Sequence, residues 1–161
     1  MTDEEIMRKA IELAKISGDE GEVPVGAVVT KNGEIIATGR NRRELGKNAL
    51  YHAEIEAINN ACQKLGGWRL WQCELYVTLE PCPMCAGAII NSRIKRVVYG
   101  ASDLKAGSFG SVVNFNSLAY NHKPEIIGGI LEEECAALLS NFFLKLRQKR
   151  AKNKEIDNLT K

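Results

Sequence analysis

The chain has 161 residues, enough for one domain with its own core, and 22 basic against 20 acidic residues leave a formal charge of only +2. That balance excludes a polycation that coats nucleic acid indiscriminately, so any nucleic-acid contact must come from a local patch. Five cysteines, two of them in a C-x-x-C pair, argue against a disulfide framework and for a reducing compartment. The acidic start Met1-Thr2-Asp3-Glu4-Glu5 is unlike a secretory signal, and no apolar run reaches the roughly 20 residues that span a bilayer. A soluble, cytoplasmic protein without a membrane partner is the expectation.

Thr2 to Ser17 places Ile6, Met7, Ala10, Leu13 and Ala14 on one helical face, and Thr2-x-x-Glu5 has the form of a capping box. Val25–Val29 and Ile35–Gly39 read as strands joined at Asn32-Gly33, an antiparallel hairpin. Arg40 to Tyr51 lacks a period and reads as a loop. It leads to a second helix, His52 to Leu65, stopped by Gly66-Gly67. Glu74–Leu79 is a third strand, Cys82–Asn91 a short helix of small residues, and Arg96–Gly100 a fourth strand. Ala101 to Ser117 reads as a long surface loop, and Ile126–Ile130 as a fifth strand interrupted by glycines. The last helix runs from Leu131 to about Lys152, acidic at its start and basic at its end, as the helix dipole favours. Residues 1–152 then form a single domain and 153–161 a frayed basic tail. Strands alternating with helices imply parallel crossovers, hence an α/β fold: a three-layer α/β/α sandwich around a five-stranded mixed sheet.

His52 together with Cys82 and Cys85 supplies three ligands of the kind zinc prefers. Cys62 lies about 15 Å from His52 along the same helix, too far to share the ion. Cys135 falls in an apolar stripe with Leu138, Leu139, Phe142 and Leu146, and His122 sits in a polar loop as a structural or solvated residue. Cys73 remains open as a fourth ligand. Without one, water takes that position, and zinc lowers its pKa to about 7, which makes the site catalytic. Cys82 and Cys85 lie where a helix begins, so its amides favour thiolates. Helical projection turns Glu54 toward the core and Glu56 toward solvent, making Glu54 the candidate proton shuttle. His52 and Glu54 converge only if both lie in the helix's first turn.

His52-Ala53-Glu54 followed by Pro81-Cys82-Pro83-Met84-Cys85 resembles the H-x-E and P-C-x-x-C signature of zinc nucleobase and nucleoside deaminases, which share a cytidine deaminase-like fold. Glu22 to Ala27, Tyr76 to Ala88, Ser92-Arg93-Ile94 and Asp103-x-Lys105-x-Gly107 are similar, in order and spacing, to the bacterial tRNA-specific adenosine deaminases, a resemblance covering nearly the whole chain. It implies hydrolytic deamination of adenosine to inosine at the wobble position of a tRNA anticodon, with zinc-held hydroxide attacking C6 and Glu54 shuttling protons. One Zn2+ per subunit and a homodimer are implied, with the tRNA anticodon stem-loop as partner. By the same resemblance Asn41 and Ala53 contact the flipped base, Asp103 and Lys105 line the groove for flanking nucleotides, and Phe143 stacks there. On sequence alone Asn41 reads equally as a turn residue, Asp103 and Lys105 as a solvated pair, and Lys145 to Lys154 as either a solvated helix end or a phosphate-facing patch. Where the family commonly has Asp-Pro-Thr-Ala before the histidine, this chain has Asn48-Ala49-Leu50-Tyr51, which bears on the pocket wall and not on the ligands. Two other readings compete: a deaminase of free guanine or cytosine with the same fold, and a non-catalytic, zinc-stabilised RNA-binding module.

Overall fold

A computed structural model describes residues 1–160. In chain order it contains α1 (Asp3–Asp19), β1 (Gly26–Lys31), β2 (Glu34–Arg40), α2 (Ala53–Leu65), β3 (Cys73–Leu79), α3 (Pro83–Ser92), β4 (Arg96–Ala101), β5 (Glu125–Ile127) and α4 (Glu132–Leu159). The sheet order is β2-β1-β3-β4-β5, with β1 antiparallel to both neighbours and β3, β4 and β5 parallel. β2–α2–β3 and β3–α3–β4 are therefore the two helical crossovers expected from the sequence.

Alternate residues of the strands feed two cores. Ala27, Val29, Leu75, Val77 and Val97 pack against Ala53, Ala57 and Ala61 of α2 and Ala86 and Ile89 of α3. Val28, Tyr76 and Val98 face Ile6, Met7, Ala10 and Ile11 of α1 and Cys135 of α4. Burial on both faces explains why the strands read as nearly continuous apolar runs, and it makes the fold the three-layer α/β/α sandwich. The hairpin turn carries positive φ at both Asn32 (53°) and Gly33 (78°), the conformation a two-residue link between twisted strands requires. No helix among the described residues is long and apolar enough to cross a membrane.

Two expectations change. β5 is only three residues long, because the chain departs at Gly128-Gly129. The final helix does not stop near 152 but continues to Leu159. No Gly or Pro interrupts Glu132 to Leu159, and helix-favouring Lys, Arg, Leu, Ala and Glu dominate it, so backbone hydrogen bonds propagate although every residue from Arg147 to Leu159 is exposed.

The reciprocal capping box is present: the Glu5 N–H donates to Thr2 Oγ1 at 3.1 Å and the Thr2 N–H to Glu5 Oε2 at 2.9 Å. Next to it, Arg96 of β4 ties α1 to the sheet through Asp3 Oδ2 at 2.7 Å and Glu74 Oε2 at 2.9 Å, and the Tyr76 hydroxyl donates to Asp3 Oδ1 at 2.8 Å. The Arg96 hydrogen bond holds the Asp3 carboxyl below its ordinary 3.8, against partial burial. A depressed carboxylate stabilises fully above its unfolded pKa and ceases to do so as pH falls through the folded one. Asp3→Asn is accordingly expected to cost about 1 kcal/mol near neutral pH, the half-exposed site being partly screened. In urea unfolding, the difference from wild type is expected to shrink as pH drops below 3.8.

Candidate metal and catalytic site

β2 and β3 end side by side around β1, and the helices that follow them begin at the same place. His52 is the N-cap of α2 and Cys82 the N-cap of α3; neither side chain makes a capping hydrogen bond, so ring and sulfur remain free for other work. Pro83 opens α3 where a missing N–H has no consequence, and Cys85 follows in the first turn. α2 can sit this low on the sheet because Gly39 of β2 has no side chain: a Cβ there would lie 2.2 Å from the Ala53 carbonyl oxygen.

His52 Nδ1 lies 3.6 Å from both Cys82 Sγ and Cys85 Sγ. Tetrahedral zinc, with Zn–N about 2.05 Å and Zn–S about 2.3 Å, requires N···S separations of about 3.6 Å, so these donors are already spaced to hold it. They are the one such group among the described residues, and no other Cys, His, Asp or Glu joins it. Cys73 is buried at the opposite end of β3, about 20 Å from the site along the strand, which excludes it as a fourth ligand. His122 is structural: its Nε2 pairs with the Ile94 carbonyl at 2.6 Å.

The three donors stand close enough to share protons. A hydrogen bond from Cys85, opposed by burial and aided by His52, holds the Cys82 thiol down to about 4. Cys85 is pushed up by the neighbouring Cys82 and by burial, and the bond to Cys82 raises His52. Glu54 is 4% exposed, and burial pushes its carboxyl up to about 7. It occupies the first turn of α2, the condition under which it converges with His52, yet it stays outside the ligand group.

A cavity of about 210 Å³ lies over these groups, lined by Asn41, Ala53, Glu54 and Asp103 among others. Asn41 is fixed three ways: its N–H donates to Val25 O at 3.1 Å, its Nδ2 to Val23 O at 3.2 Å, and its carbonyl accepts from the buried Ser17 hydroxyl at 2.9 Å. Its Oδ1 is buried without a partner. Two grooves meet the cavity at Val23. One, about 650 Å³, is lined by Asp103, Lys105, Phe143 and Arg147; the other, about 380 Å³, by Arg43, Phe142, Phe143 and Arg150. Among the described residues none of these four cations forms an ion pair. The expected site residues thus lie at the cavity or its grooves, except Cys85, which is fully buried beside His52. Asp103 also closes its own turn, its Oδ1 accepting from the Lys105 and Ala106 N–H groups at 3.0 and 3.2 Å.

Glu56 corrects the sequence reading: it is not simply solvated but half-buried, ion-paired with Arg42 and accepting the Arg40 N–H at 2.7 Å. Two buried acids went unanticipated. Glu22 accepts the Glu44 and Leu45 N–H groups at 3.0 and 2.8 Å, and Glu80 gathers the loop that follows β4. Their partners are backbone amides distant in sequence, which no local pattern encodes.

A family model described as MafB19-like deaminase matches residues 1–147. The tRNA-specific adenosine deaminase of Bacillus subtilis (strain 168) is 50% identical over 152 residues, covering 93% of this chain and 94% of that protein. The chain belongs to the tRNA-specific adenosine deaminase family. The Haemophilus influenzae tRNA-specific adenosine deaminase is 47% identical, over 92% of this chain and 87% of its own length. In structure, this deaminase is similar to a tRNA:A34 deaminase studied for A-to-I editing at the wobble position, with a TM-score of 0.81, 44% identity and coverage of 83% and 97%. A guanine deaminase from Nitrosomonas europaea shares the fold at a TM-score of 0.75 and 28% identity, with coverage of 84% and 81%.

The ligand assignment has a direct test. Cys85→Ala is expected to abolish stoichiometric zinc retention after dialysis, and Cys73→Ala to leave it unchanged, as read by elemental analysis of the purified chain.

Proposed function

We propose that this deaminase converts adenosine to inosine at the wobble position of a tRNA anticodon, with one zinc ion per subunit held by His52, Cys82 and Cys85. The observation that carries the reading, beside family membership, is the small cavity opening into two grooves lined by phenylalanines and by cations that form no ion pair among the described residues. A free purine needs only the cavity; a polynucleotide strand needs somewhere to lay its phosphates and neighbouring bases.

When bound, zinc supplies Lewis-acid activation of a water molecule near neutral pH. Glu54 is placed to accept the proton of that attacking water, deliver it to ring N1 and then assist the leaving amine. The C6–N bond breaks, ammonia departs, and the water oxygen remains on C6 as the inosine carbonyl. Asn41, immobilised with an unpartnered Oδ1, accepts a hydrogen bond from the flipped nucleoside, and Ala53 forms the wall beside it. Asp103 sits at the rim, Phe143 offers a stacking face that is 40% exposed, and Lys105, Arg43, Arg147 and Arg150 meet phosphates. In this reading the enzyme is cytoplasmic and works as a homodimer; exposed Leu50 and Tyr51 beside Ile55 of α2 are available to a second subunit.

The test incubates the zinc-loaded chain with a tRNA carrying adenosine at the first anticodon position, and separately with free guanine. Inosine in the tRNA and no turnover of guanine is the expected result; guanine turnover without inosine would favour the free-base reading. Glu54→Gln is expected to lower kcat by about 10³-fold while zinc content and RNA binding persist, which also separates the enzyme from a binding-only module.

A further inference from the structure

Glu80 is a buried acid of the cavity that the proton chemistry leaves unused. It is 1% exposed and has no ion-pair partner among the described residues. Its Oε1 accepts from the Asp103 N–H at 3.1 Å and from the Ser111 hydroxyl; its Oε2 accepts from the Phe109 N–H at 3.1 Å and the Ser111 N–H at 3.2 Å. A carboxylate has about four lone-pair sites, and here all are taken, so Glu80 cannot serve a substrate proton without releasing the loop. Glu54, in the same cavity, has no such set of donors.

All of these donors belong to one loop, residues 103–111. The loop folds back on itself through the Gly107 N–H to Asp103 O at 2.8 Å, and it is anchored to the metal-ligand segment through the Ser108 N–H to Pro81 O at 2.9 Å. Gly107 passes directly over the carboxylate: a Cβ there would lie 2.4 Å from Glu80 Cδ, so any side chain would push the loop away. The same loop carries Asp103 at the cavity rim and Lys105 in the larger groove. A buried anion satisfied only by neutral donors is costly unless every bond is made, which ties the loop to one conformation.

We propose that Glu80 is a positioning residue: it folds loop 103–111 into the groove wall that holds the RNA, setting substrate affinity and leaving proton transfer to Glu54. This rests on the function proposed above.

Glu80→Gln keeps size but replaces an acceptor oxygen with an NH2 group that opposes N–H donors. In the full-length, zinc-loaded chain, amide hydrogen exchange at Asp103, Phe109 and Ser111 is expected to speed up about tenfold. KM for an anticodon stem-loop RNA is expected to rise about tenfold, with kcat within about threefold and zinc still one per chain. Ser111→Ala, which removes only the hydroxyl donor, is expected to shift KM in the same direction by about two- to threefold, and it carries the test by the same readouts if the Gln variant does not fold. Unchanged exchange, or a fall in kcat at constant KM, would overturn the proposal. A wild-type chain that leaves the RNA unmodified would instead overturn the function, and the exchange comparison would still decide whether Glu80 holds the loop.

Discussion

Two helix N-termini meet at one point, and the residue that caps each belongs to the His52, Cys82 and Cys85 group that could hold a metal ion. Free amides at both ends favour anionic donors, which is what thiolates and a nearby carboxylate require. Much of the architecture serves that convergence. β2 and β3 must run parallel with β1 between them so that both crossover helices start at the same edge. Gly39 must lack a side chain so that α2 can drop onto β2, and the helices then cover the same face of the sheet.

The site also shows how environment sorts chemically identical side chains. Glu54 is buried beside His52, Cys82 and Cys85, and desolvation lifts it toward neutrality, where proton exchange is easy. Glu80 and Glu22, just as buried, are occupied by donors from the two loops that bear Asp103 and Arg43. Glu56, two residues from Glu54, turns away to Arg42. What each acid is free to do chemically therefore depends on how many donors it already satisfies.

The layers, the five-stranded mixed sheet and the clustering of His52 with Cys82 and Cys85 were legible because they rest on local signals: alternating or helical apolar periods, the Asn32-Gly33 turn, and fixed spacing in Pro81-Cys82-Pro83-Met84-Cys85. The inward turn of Glu54 followed from helical projection, whereas Cys73 stays open in the sequence and is separated from the group only by its place at the far end of β3. Glu80, Glu22 and Ser17 were invisible since their partners lie across long sequence separations. The end of α4 lies beyond the expected boundary because an uninterrupted run of helix formers carries the helix through the basic residues to Leu159. Substrate identity was never a matter of spacing; it entered through resemblance and is supported by family membership and the cation-lined grooves.

The proposed hydrolytic centre for adenosine within RNA is built from His52, Cys82, Cys85 and Glu54. It is tested most directly by running the zinc-loaded enzyme on tRNA in water enriched with heavy oxygen and analysing the released nucleosides by mass spectrometry. One heavy oxygen in inosine from the first anticodon position, with other adenosines unchanged, is the expected result. Adenosine retained at that position while zinc is bound, or inosine lacking the solvent oxygen, would contradict it.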